Sequence, residues 1–186
     1  MTEAVIVSTA RTPIGRAMKG SLVECRPDDL SAHIVRTALD KVPQVDPTTI
    51  DDLIMGCGQP GGESGFNIAR VAAILAGLGD VPGVTVNRYC SSSLQAIRMA
   101  AHAIKAGEGD VFVAAGVETV SRFLNGMADS GPANPLFAEA QTRSAEAANG
   151  ADSWEPQPGL PDIYVAMGQT AENVRLAENV SRRDMD

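Results

Sequence analysis

The chain has 186 residues, 44% hydrophobic and 20% charged, with a net charge of −8. This composition belongs to soluble globular domains and excludes global disorder. The acidity argues against a nucleic-acid partner, which needs a basic face, and the longest apolar run (residues 71–79) is too short to span a bilayer. The start, Met-Thr-Glu, runs straight into strand-like residues and carries no signal-peptide pattern.

Ala4–Ala10 is a short β-branched run and predicts a first strand. Asp28–Lys41 carries Leu30, Ile34, Val35 and Ala38 at helical spacing behind a Pro27-Asp28 start signal. Asp52–Cys57 predicts a second strand, ended by Gly58 and Pro60. Asn67 stands where it can cap a helix with Ile68, Val71, Ala72 and Leu75 on one face, closed by Gly77. Val84–Asn87 predicts a third strand. Ser91–Ala106 predicts a helix with a Leu94/Ile97/Ala101/Ile104 stripe, closed by Gly107, and Val111–Val117 a fourth strand. The order βαβαβαβ implies an α/β fold, a mostly parallel sheet covered by helices on both faces. In such sheets the chemistry sits beyond the carboxyl ends of the strands.

The pattern changes after Val117. Residues 124–162 are rich in Gly, Pro, Asn, Ser and acidic side chains, with one helix predicted from Pro135 to about Ala148, stopped by Gly150. A connection of this length in a compact domain is usually functional. Helical periodicity returns from Val165 to near Asn179 through Met167, Thr170, Ala171, Val174 and Ala177. Ser181 with Asp184 three residues on is a variant capping box. A helix start with so little behind it reads as a polypeptide cut short. The expected organisation is a core domain over 1–122 and a partial second domain over 123–186.

Three cysteines, Cys25, Cys57 and Cys90, with no C-x-x-C and two histidines, argue against a disulfide framework or a metal site. They fit a reducing, cytoplasmic compartment. Cys90 is the candidate nucleophile. It follows the third strand and immediately precedes a helix, whose unpaired N–H groups and partial positive charge favour a thiolate and can hold an oxyanion. Cys57 ends the second strand on the same rim and reads as a core thiol; Cys25, in a polar loop, reads as incidental. A nucleophilic cysteine usually needs a base. His102 shares a helix face with Arg98 and Lys105, and His33 flanks its helix far from a strand end, so both read as surface residues. Gly56, Gly58 and Gly61 match the G-x-G-x-x-G spacing, but Pro60 intrudes and no helix starts before about Asn67, so no dinucleotide site is expected. Arg11, Arg16 and Lys19 form a basic island that reads as a solvated loop.

These residues resemble the thiolase family. The resemblance rests on Ala10-Arg11-Thr12-Pro13-Ile14-Gly15, Gly20-Ser21-Leu22, Asn67-Ile68-Ala69-Arg70, Ala76-Gly77-Leu78 and Val86–Ser92 around Cys90. Leu94-Gln95-Ala96-Ile97, Ala114–Glu118 and Met167–Asn173 follow in the family's order. It implies a thiolase-like N-terminal half plus the start of a loop domain that holds coenzyme A, from a protein of about twice this length with two similar halves. Cys90 would take the acyl group as a thioester and lend its backbone N–H to an oxyanion hole. Met167 would contact substrate. Coenzyme A would be a cosubstrate, with no covalently bound cofactor and no metal. The partners implied are acyl-CoA, CoA, the missing C-terminal half or a partner chain, and a second copy in a homodimer or homotetramer; nucleic acid and membrane are not expected. The family's second catalytic cysteine and its histidines lie in G-H-P-x-G-x-S-G and C-x-G motifs that these residues lack, so this chain alone is expected to be inactive. Ser93 replaces a frequent Gly, Ala115 and Val120 replace a Gly and a Met, and Ala166 stands where biosynthetic members often have His, which leaves acyl chain length open. Cys90–Leu94 also resembles the nucleophile turn of ketoacyl synthases, although Arg11–Gly15 and Met167–Asn173 favour thiolase. A non-catalytic thiolase-like subunit acting with a partner is a further alternative.

Overall fold

The computed structural model describes residues 3–147 and 158–186. They fall into two compact units, Met1–Ser130 and Gly131–Asp186.

The first unit is built on a parallel sheet of β1 (Asp52–Gly56), β2 (Gly83–Val86) and β3 (Phe112–Gly116) in the order β2-β1-β3. β1 is central, with Leu53 opposite Gly83 on one side and opposite Val113 on the other. The intervening helices are α1 (Pro27–Asp40), α2 (Ile68–Leu75) and α3 (Ser92–Ala106). Side-chain alternation along β1 divides the core. Leu53 and Met55 point to the α1/α2 face and join Val35, Ile68, Ala69 and Ala72 in the larger cluster. Ile54 points the other way and joins Ala96 and Ala100 of α3. Leu53 and Met55 are wholly buried, each adding about 1.5–3 kcal/mol relative to an exposed side chain.

Three local expectations come out differently. Ala4–Ala10 is extended but joins no ladder among the described residues. Its β-branched residues suit a strand, but among the described residues the outer edge of β3 beside it stays unpaired. Ser8 Oγ donates to the Ala38 carbonyl at 2.7 Å and Lys41 Nζ to the Thr9 carbonyl at 2.8 Å, so the segment is tied to α1. An apolar groove of about 640 Å³, lined by residues of this segment, α1, α3 and β3, lies beside it, and Val5, Ile6 and Val7 stay exposed. Asn67 occupies the position before α2 with a left-handed φ of 55° and makes no side-chain cap. Its amide is taken by β2 instead: Nδ2 donates to the Gly83 carbonyl at 2.7 Å, and Oδ1 accepts from Thr85 Oγ1 at 2.8 Å. On α3, Ala96 and Ala100 meet the sheet, while Leu94 and Ile97 of the apolar stripe face outward. Small residues let the helix axis approach the strands closely, which the bulkier stripe would prevent.

The second unit contains α4 (Ala138–Ala147), α5 (Met167–Glu178) and the short α6 (Arg182–Met185). Pro135–Phe137 forms a 3-10 turn before α4, with Asn134 Oδ1 accepting from Leu136 N. The predicted end of that helix at Ala148 and Gly150 lies outside the described residues. Ser181 caps α6, its Oγ accepting from Asp184 N at 3.3 Å, as the capping pattern predicts. Phe137 and Tyr164 meet edge to face at 5.6 Å. Ala140 is the one buried side chain among the described residues of this unit. No helix among the described residues is long and apolar enough to cross a membrane.

Candidate active site

The carboxyl ends of β1, β2 and β3 lie on one rim of the sheet, because all three strands run parallel. Cys90 sits there, exposed, in a 3-10 turn (Tyr89–Ser91) that follows β2 after two residues and runs directly into α3. Tyr89, immediately before it, holds a left-handed φ of 44°, a sparsely populated conformation for an aromatic residue. Several hydrogen bonds impose it. Tyr89 N donates to Asn87 Oδ1 at 2.8 Å; Ser92 Oγ accepts from Arg88 N at 2.8 Å and donates to the Tyr89 carbonyl at 2.6 Å. Ser92 itself is buried, 4% exposed. The turn is thus fixed from within, and its cysteine is presented outward at the start of a 15-residue helix. That is where unpaired N–H groups and the helix dipole stabilise negative charge.

The sheet comes unusually close beneath this turn. A Cβ at Gly56 would lie 2.4 Å from the Ser92 carbonyl carbon, and one at Gly116 would lie 1.9 Å from Ser93 Oγ. The last residues of β1 and β3 are glycines because the first turn of α3 rests on them. Two of the glycine positions that mimic a dinucleotide loop therefore have other uses. Gly56 seats α3, and Gly61 leads into a 3-10 turn (Gly62–Ser64), with α2 beginning only at Ile68.

Cys57 lies on the same rim but is 1% exposed. Burial, reinforced by the nearby Glu118 carboxylate, pushes its thiol above the ordinary value, which makes it a poor nucleophile. Cys25 is partly buried. His33 is exposed in α1, on the opposite side of the sheet from α3. His102 is exposed in the same helix that begins beside Cys90, three turns and roughly 15 Å along it. Neither reaches the cysteine. Arg11, Arg16 and Lys19 are exposed. Met167 opens α5 in the second unit and is 73% exposed. Among the described residues no cluster of three or more His, Cys, Asp or Glu is arranged to hold a metal ion.

Residues that carry no role in the sequence reading organise the rim. Gly58 N donates to Glu118 Oε2 at 2.9 Å, and the Gly58 carbonyl accepts from Asn87 Nδ2 at 3.1 Å. Farther out, Glu63 accepts from Arg122 Nε at 2.5 Å and Nη2 at 2.7 Å, and from Arg26 Nη1 at 3.2 Å. The Arg122 guanidinium holds the Glu63 carboxyl below the usual range. This ion-pair group pins the loop after β1 to the loop after β3.

The chain belongs to the thiolase family: the model of the thiolase N-terminal domain matches residues 4–186. A 3-ketoacyl-CoA thiolase of Bacillus subtilis (strain 168) is 43% identical over 187 residues, covering 100% of this chain and 42% of the relative. A 3-oxoadipyl-CoA/3-oxo-5,6-dehydrosuberyl-CoA thiolase of Escherichia coli (strain K12) is 42% identical, covering 100% of this chain and 45% of the relative. A 3-ketoacyl-CoA thiolase of Shewanella loihica is 51% identical over 119 residues, 63% of this chain and 31% of its own length. The chain therefore spans less than half the length of these curated relatives.

Proposed function

We propose that this chain is the nucleophile-bearing half of an acyl-CoA C-acyltransferase acting on 3-ketoacyl-CoA. The observation that carries the reading is Cys90, exposed in a hydrogen-bonded turn at the start of α3, in a chain whose relatives are named as 3-ketoacyl-CoA and 3-oxoadipyl-CoA thiolases. The Cys90 thiolate attacks the 3-keto carbon. The oxyanion that forms is held by backbone N–H groups at the start of α3. The C2–C3 bond then breaks, its electron pair leaving as the acetyl-CoA enolate, and the acyl group stays on Cys90 as a thioester. The enolate takes a proton from an acid. The thiolate of free CoA then attacks the thioester and carries the acyl group away, restoring Cys90. Covalent capture divides one difficult step into two. Run backward, the same steps are a Claisen condensation.

Neither histidine lies near Cys90, so the proton-transfer groups come from a complementing half. The apolar groove beside Ala4–Ala10 and the outward side chains of α3 are surface for that half to cover. Until it does, the chain self-associates through those patches. Residues 1–122 are the core domain and 123–186 the beginning of a coenzyme A loop domain, where Met167 contacts the acyl-CoA. The complete protein is a homodimer or homotetramer, and its three free cysteines support a cytoplasmic location.

The test is acetoacetyl-CoA thiolysis by the 186-residue chain, alone and co-expressed with the C-terminal half of the 43%-identical relative. Steady turnover only in the mixture is the expected result. Steady turnover by the chain alone overturns the division of labour, and no turnover in either sample overturns the enzymatic reading in favour of a non-catalytic subunit.

A further inference from the structure

We propose that Glu118 is a positioning residue for the Cys90 turn, acting from the end of β3 through Gly58 and Asn87. The proposal rests on the reading of Cys90 as nucleophile, and it adds a residue that touches neither Cys90 nor substrate.

The connection is continuous. Glu118 follows β3 by two residues, and its Oε2 accepts the Gly58 amide at 2.9 Å. Gly58 is buried, so its N–H has no easy substitute partner, and an unpaired buried amide is costly. The Gly58 carbonyl is bound by Asn87 Nδ2 at 3.1 Å, and the other end of that amide, Oδ1, accepts from Tyr89 N at 2.8 Å. Tyr89 is the left-handed residue whose conformation aims Cys90. A Cβ on Gly58 would meet Glu118 Oε2 at 2.9 Å and Tyr89 Cα at 3.5 Å, so the three loops are in contact at this one glycine. A carboxylate acceptor makes the first link charge-assisted and roughly twice as strong as a neutral one. Glu118 Oε1 lies 4.0 Å from the Cys57 thiol. The carboxylate thus joins the ends of all three strands and fixes the loop on which the nucleophile turn is hung.

The experiment measures iodoacetamide alkylation of Cys90 in the 186-residue chain at fixed pH, mapped by peptide mass. Glu118→Ala is expected to slow it about tenfold, since the turn loses its alignment with the N–H groups of α3. Glu118→Gln, which still accepts from Gly58, is expected to stay within about threefold of the unmutated rate. Asn87→Ala is expected to match Glu118→Ala, and the double variant to be no slower than either, because the two act in series. Alkylation of Glu118→Ala at the unmutated rate, additive losses in the double variant, or a Gln variant as slow as Ala overturns the proposal. If Glu118→Ala does not fold, Asn87→Ala decides, and an unmutated rate there overturns it. In the complemented enzyme the expected signature is a fall in kcat with little change in KM. Absence of thiolysis by the unmutated complemented enzyme overturns the thiolase reading and leaves the alkylation result standing.

Discussion

On the face of the sheet that carries Leu53 and Met55, α1 and α2 enclose eleven buried apolar residues; on the face that carries Ile54, α3 encloses three. The difference is not one of apolar supply. α3 keeps Leu94 68% exposed and Ile97 45% exposed on its outer side, while its alanines do the packing. The first face buries the larger cluster and carries most of the stability of the unit. The second holds α3 tight against the strands at Gly56 and Gly116, which sets the position of Cys90, and leaves an apolar surface uncovered. Stability and chemistry are thus divided between the two faces.

That division predicts a graded set of effects. Leu53→Ala, on the first face, should be the most damaging, costing about 2–5 kcal/mol in urea unfolding; a loss below 1 kcal/mol would mean the larger cluster is not the stabilising one. Gly56→Ala should cost about 1–3 kcal/mol, because its methyl group meets the backbone of Ser92 and lifts the first turn of α3. It should also slow Cys90 alkylation, which Leu53→Ala in its folded fraction should not.

Two adjacent carboxylates offer a smaller test through pH. Asp51 accepts the amides of Val111 and Asp110, which hold it below the ordinary carboxylate range. The stability it adds is complete above its unfolded pKa, about 4, and is lost as pH falls through its lower folded value. Burial raises Asp52, whose Oδ1 has no partner, so its ionisation costs stability as pH rises from about 4 through the raised value. In thermal melts Asp51→Asn should shrink the loss of stability on acidification. Asp52→Asn should raise the midpoint at pH 7 and give no advantage at about pH 3. Identical pH profiles for the two variants would contradict the assignment. The smallest effect belongs to Leu94→Ser, within about 0.5 kcal/mol in this chain because the side chain is already in solvent. The same change should weaken association with the complementing half, measured by titration; no weakening would mean that the α3 surface is not covered there.

The ladder strands β1, β2 and β3 and the helices between them were legible from short apolar runs alternating with helical periodicity, and from glycines and a proline at their ends. The position of Cys90 followed from the same pattern. Periodicity describes one segment at a time, and the misses all concern neighbours. Ala4–Ala10 has the residues of a strand but is tied to α1 and joins no ladder among the described residues. Asn67 has the side chain of a cap but spends it on β2. The Leu94/Ile97 stripe has the spacing of a core face, but the closeness demanded at Gly56 selects Ala96 and Ala100 instead. Glu118 lies next to the end of β3, where a rim residue is expected, yet nothing local says that its carboxylate reaches Gly58, sixty positions earlier in the chain.

Acyl transfer through Cys90 requires a covalent intermediate. The chain, complemented by a thiolase C-terminal half, is mixed with acetoacetyl-CoA, quenched in acid, digested and mapped by mass spectrometry. One acetyl group is expected on the peptide containing Cys90, absent from Cys90→Ala and released by added CoA. An acyl group on Cys57, Cys25 or any other residue, with Cys90 unmodified while thiolysis proceeds, would contradict acyl transfer through Cys90.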